Sequence, residues 1–161
     1  MGHDVEDAVG ASRPFAARFD YRDAAPGIYP AMDNVDRYIE SCGLETSLVR
    51  LVQLHASQIN GCAYCVDMHW KQLKDIGEKD QRLYSLMIWR ECPYYTDRER
   101  AALMWTEAIT RVANLGVPDN VYRQASSLFG ERELADLTLA VVAINGWNRL
   151  SIAARLEPGS S

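Results

Sequence analysis

Apolar side chains recur along this chain at intervals of three and four, the spacing that gathers them on one face of an α-helix. Leu48, Leu51, Val52, His55 and Ile59 follow at i, i+3, i+4, i+7 and i+11, a stripe that Asn60 and Gly61 end. Before it, Met32, Val35, Tyr38 and Ile39 predict a helix over 31–42, and Gly43 falls where a left-handed cap would close it. After it, 62–76 resumes helical character up to Gly77, and 80–90 carries Leu83, Leu86, Met87 and Trp89 as far as Pro93. Thr96 and Glu99 form a capping box, in which hydroxyl and carboxylate satisfy free amides at a helix start, and an apolar run over 101–112 follows. Pro118 suits a first turn and Gly130 a stop, while 131–145 is apolar on most sides and reads as central. No segment alternates with the period of a strand. The pattern predicts an all-α bundle of about six to eight helices.

The first 30 residues mix Gly, Pro, Ala and Asp with few periodic apolar positions and are read as a peripheral lead-in without a packed element. The expected division is an arm over 1–27, a helical domain over 28–156 and a frayed tail over 157–161. With 161 residues, 48% of them hydrophobic, the chain has enough apolar surface for one sizeable core. Its net charge of −5 and the lack of any lysine or arginine cluster speak against nucleic acid as a partner, since phosphate binding needs concentrated positive charge. The longest apolar run, 137–144, is short against the ~20 residues of a membrane span, so no membrane partner is expected. The acidic N-terminus lacks the basic start and apolar stretch of a secretory signal, which leaves the cytoplasm as the expected location.

Chemistry concentrates in one place. Cys42 and Cys92 are isolated and read as small hydrophobes, whereas Cys62 and Cys65 stand one helical turn apart with His69 one turn further on. In a reducing compartment such a pair is more often redox-active or metal-binding than a permanent crosslink. Zinc would need a fourth ligand beyond Cys62, Cys65 and His69, with His55, Cys42 or Cys92 the residues that would have to fold in. Val66 excludes covalent haem attachment, which requires histidine directly after the second cysteine. Because Asn60-Gly61 breaks the chain just before, both cysteines fall in the first turn or two of a helix, where free amides favour a thiolate. A nearby imidazole can take the thiol proton, the thiolate can attack peroxide or disulfide, and the second thiol can resolve the product into an intramolecular disulfide.

The string Ala56-Ser57-Gln58-Ile59-Asn60-Gly61-Cys62-Ala63-Tyr64-Cys65-Val66-Asp67-Met68-His69 resembles the AhpD-like alkylhydroperoxidases of the carboxymuconolactone decarboxylase family. Further matches to its small single-domain members are Trp89-Arg90-Glu91, Glu99 to Leu103 with Trp105 to Ala108, and Ile144-Asn145 with Trp147 to Leu150. The resemblance implies an all-helical enzyme that reduces hydroperoxides or relays electrons in antioxidant defence without a bound cofactor or metal. It assigns peroxide attack to Cys65, resolution to Cys62 and proton relay to His69. It also implies an external thiol or lipoyl-type reductant, a peroxiredoxin as a candidate partner, and a trimeric or hexameric homo-oligomer. Other branches are decarboxylases or lactone-processing enzymes that do not rely on a cysteine pair, and a non-enzymatic redox sensor is a further alternative. Two positions depart from the pattern: Arg50 stands where a relay glutamate is usual, twelve residues before Cys62, and His55 replaces a common arginine. An arginine cannot accept a proton at neutral pH, so the relay is expected to be weak or to run through His55 or Glu45.

Overall fold

A computed structural model describes residues 16–159, and among these it contains ten helices and no strand. They are α1 (Tyr21–Ala24), α2 (Ile28–Ser41), α3 (Thr46–Asn60), α4 (Ala63–Asp75), α5 (Asp80–Tyr84), a 3₁₀ helix (Leu86–Glu91), α6 (Asp97–Thr110), α7 (Val112–Leu115), α8 (Asp119–Ser126) and α9 (Glu131–Ala154). The fold is the expected all-α bundle, with more helices than the apolar pattern resolves.

The extra elements have local causes. Helix 80–90 divides because Ser85 Oγ donates to the Gln81 carbonyl and the Tyr95 hydroxyl to the Arg82 carbonyl, two acceptors that a continuous helix would reserve for its own amides. The lead-in is not wholly unpacked either: α1 lies within it, capped by the Asp20 side chain, and Tyr21 is only 5% exposed. The expected tail covers 157–161, of which 160–161 lie outside the described residues, while the Gly159 amide donates to Asp67 Oδ2 at 3.0 Å. The capping box is formed as expected, with the Glu99 amide donating to Thr96 Oγ1 and the Thr96 amide to Glu99 Oε2.

α3 and α9 are the two central helices. α3 is buried on nearly every side from Leu48 to Ser57, including Gln53 and His55, because α4, α6 and α9 all pack on it. α9 extends to 24 residues and is long and apolar enough to cross a membrane by those two measures, unlike the eight-residue run seen in the sequence. In this fold its faces are shared among α2, α3, α4, α6 and α8. Gly146 permits one of these approaches, since a methyl group there would meet Met32 Cε at 3.1 Å. The close crossing of α2 over α9 brings Asp36 to Trp147, whose indole Nε1 donates to Asp36 Oδ2 at 2.8 Å.

Candidate active site

Gly61 closes α3 in the left-handed conformation, φ 70°, and accommodates the reversal that starts α4 immediately. Cys62 therefore becomes the N-cap of α4 and Cys65 its third residue, so both sulfurs meet the amide end of the helix. Each cysteine is 1% exposed, and the sulfurs are 2.6 Å apart, so forming a disulfide requires no backbone rearrangement. Ser151 Oγ of α9 is 3.7 Å from Cys65 Sγ. Asn148, fully buried one turn earlier, also acts on the sulfur pair and favours its ionised form.

One negative charge shared between two sulfurs is the state this environment favours. The Cys62 thiol is lowered to about 7, chiefly because Cys65 S–H donates to its thiolate, with further donation from the Cys65 amide, Ser151 and Asn148. Cys65 is pushed up, because its thiol serves as that donor and because its own ionisation would follow burial beside an existing charge. Transfer of the remaining proton between the sulfurs moves the charge to Cys65.

Cys65 opens onto a cavity of about 230 Å³, whereas Cys62 is absent from its lining. Aromatic walls come from Tyr21, Tyr29, Tyr64 and Trp147, and polar groups from Asp36, Arg50 and His69. His69 Nδ1 lies 2.9 Å from Gln72 Oε1, a carbonyl oxygen that can only accept, so Nδ1 carries the ring hydrogen. Nε2 is consequently a bare acceptor, buried and without a partner among the described residues. Burial lowers the imidazole to about 4 from the ordinary 6.5, which keeps it neutral at pH 7. Between those two values the unfolded chain binds a proton that the native state refuses, so stability present above pH 6.5 is lost as the pH falls toward 4. Urea unfolding is expected to lose roughly 2–3 kcal/mol more between pH 7.5 and 4.5 in the native protein than in His69→Gln; equal slopes would show that His69 titrates normally.

The chain matches the carboxymuconolactone decarboxylase family over residues 26–108, a span holding α2 to α4 and most of α6. It belongs to that family. Within the family's range of sequences it is 37% identical over 136 residues to the uncharacterized protein YdfG of Bacillus subtilis, covering 84% of this chain and 92% of that one. A crystallised Agrobacterium tumefaciens protein of unknown function, ascribed to AhpD-type antioxidant defence, superposes with TM-score 0.87 at 38% identity, covering 91% of this chain and all of the other. The debrominase Bmp8 shares the fold at TM-score 0.77 and 15% identity, over 86% of this chain and 74% of its own.

Arg50, which stands where the resemblance leads to the expectation of a glutamate, lines the cavity, donating to Glu40 Oε1 at 3.0 Å and Gln53 Oε1 at 2.9 Å. The two replacements suggested by sequence are not brought there. His55 faces the other way, 3.1 Å from Glu107, and Glu45 is held by Arg98; neither lines the cavity. Its carboxylates are instead Asp33, Asp36 and Glu40, all from α2. They were legible as a stripe at i, i+3 and i+7, but a run of acids at helical spacing reads equally well as a solvated face. Trp89 and Trp105 are core residues, as their spacing suggests, whereas Trp147 belongs to the cavity wall. Cys42 donates to the Ile39 carbonyl, and among the described residues no cluster of three or more His, Cys, Asp or Glu side chains is arranged to hold a metal ion.

Proposed function

We propose that this protein is a thiol-dependent hydroperoxide reductase of the AhpD-like kind, cycling between the Cys62/Cys65 dithiol and its disulfide. The observation that carries this reading is the asymmetry of the pair: Cys65 faces the cavity, and Cys62 stands directly behind it. Peroxide entering the cavity meets Cys65, whose thiolate attacks the terminal oxygen; the O–O bond breaks, and an S–O bond forms. Cys62 then displaces hydroxide from the sulfenic acid, and water leaves as the disulfide closes. His69 Nε2 passes the proton given up when the pair first ionises on to cavity water and is neutral again before the peroxide is cleaved. An external dithiol, of which a lipoyl group is the favoured class, returns two electrons to close the cycle. A lactone or decarboxylation chemistry would leave the buried thiol pair without a task.

Protein treated with one equivalent of tert-butyl hydroperoxide is expected to lose two hydrogen masses, with peptide mapping placing the bridge between Cys62 and Cys65. Dihydrolipoamide should restore both thiols and sustain turnover. Thiols that stay reduced in excess hydroperoxide would overturn the reading.

A further inference from the structure

The reaction just described has a second proton requirement, which the thiol pair and His69 do not meet. When Cys65 attacks the terminal oxygen of R–O–O–H, the departing fragment is an alkoxide, a poor leaving group unless it is protonated as the O–O bond breaks. His69 is the wrong partner for that step, because it is neutral and carries its hydrogen on the nitrogen tied to Gln72. The cavity needs an acid, and one carboxyl group on its wall is placed to be one.

Asp36 Oδ2 accepts from Trp147 Nε1 at 2.8 Å, and its other oxygen, Oδ1, is buried and has no partner among the described residues. Trp147 packs against the cluster of Ala56, Cys62, Cys65 and Ile144, and both Asp36 and Cys65 line the same cavity. Two cations line the cavity: Arg37 pairs with Asp33, and Arg50 spends its donors on Glu40 and Gln53 and makes no hydrogen bond to Asp36. The Trp147 indole and Arg50 favour the ionised carboxylate, Asp33 and Glu40 on the same helix disfavour it, Tyr21 and Tyr64 are neutral phenols, and His69 is uncharged. Burial is the largest influence and raises the Asp36 carboxyl above its ordinary value, which favours the protonated form.

We infer that Asp36 is the general acid of the reaction, donating from Oδ1 to the alkoxide oxygen as the hydroperoxide is cleaved. This rests on the hydroperoxide reading above. The step balances as Cys65–S⁻ plus R–O–O–H plus Asp36–COOH giving Cys65–S–OH plus R–OH plus Asp36–COO⁻. Sulfur is oxidised by two electrons, the peroxide oxygens are reduced by two, and the proton that left the thiol pair by way of His69 returns through cavity water to Asp36. Asp36 and His69 thus divide acid and base work between two environments that move their affinities for protons apart. Arg50 on α3 offers no proton at neutral pH, and α2 supplies a carboxyl group to the same cavity.

The test uses leaving groups of different basicity, because an acid catalyst matters most where the leaving anion is most basic. Single-turnover loss of thiols would be followed with tert-butyl hydroperoxide, which expels an alkoxide, and with peracetic acid, which expels a stabilised carboxylate. In Asp36→Asn, which keeps an oxygen for Trp147 but cannot transfer a proton, the alkyl hydroperoxide rate constant is expected to fall roughly a hundredfold and the peracetic acid rate by less than about tenfold. Asp36→Glu should recover part of the first rate. Equal losses with both oxidants would show a purely structural role and overturn the inference, as would no loss with either. The peracid arm also reports whether the variant has kept its folded site. Unmutated protein that reacts with neither oxidant would instead overturn the hydroperoxide reading, and this inference with it.

Discussion

Serine in place of Cys65 is expected to reduce hydroperoxide consumption to background, whereas serine in place of Cys62 should allow one oxidation and then stop. The difference follows from access. Cys65 is the sulfur that lines the cavity, and a hydroxyl there neither ionises at neutral pH nor forms a stable oxygen adduct. In Cys62→Ser the attacking sulfur remains but nothing behind it can displace hydroxide, so a sulfenic acid accumulates and should be trapped by dimedone at Cys65 with a stoichiometry of one. The first oxidation should also be slower, since Cys62 is the thiol whose pKa is lowered to about 7, chiefly by the Cys65 S–H and further by the Cys65 amide, Ser151 and Asn148. The opposite result, a dimedone adduct on Cys62 in Cys65→Ser and no reaction in Cys62→Ser, would reverse the two roles, because the favoured site of negative charge would then also be the site of attack.

Asn148→Ala is expected to cost about 3–4 kcal/mol of folding stability and to raise the ionisation midpoint of the thiol pair above about 7. Asn148 is fully buried; its amide donates to Ser57 Oγ at 3.0 Å, and its carbonyl accepts from Asn60 Nδ2 at 2.8 Å. Asn60 also reaches Asn145, which donates in turn to Thr110, so one polar chain connects α3, α6 and α9 beneath the cysteines. Truncating its centre leaves buried donors and acceptors without partners as well as a small void. Urea unfolding would measure the first effect and ultraviolet thiolate absorbance against pH the second. A stability loss with an unchanged midpoint would confine Asn148 to the scaffold.

Much of the scaffold was written locally. The capping box at Thr96 and Glu99 is a four-residue device, and Asn60-Gly61 before the cysteines places the thiols at a helix start whatever the rest of the chain does. The break at Ser85 was harder to read, because the competing donor is Tyr95, ten residues away and in a different segment. His55, buried in α3, has a partner in Glu107 that joins it to Trp89 and Arg90, and this network holds Glu107 well below the usual carboxylate range. Nothing in the α3 stripe distinguishes a histidine aimed at that network from one aimed at the thiols.

By itself the sequence determined the all-helical fold, the family, and the adjacency of Cys62, Cys65 and His69, because turns, caps and one-turn spacings are set within a few residues and need no knowledge of distant segments. Only the tertiary structure decided which sulfur faces the cavity, that Asn148 and Ser151 reach the pair from α9, and that Asp36 comes in from α2 while His55 and Glu45 are turned elsewhere. Those outcomes depend on how α2, α3 and α9 cross. A crossing is fixed by packing contacts such as Met32 against Gly146, between residues more than a hundred positions apart, whose periodic pattern says which face is buried but not which neighbour buries it.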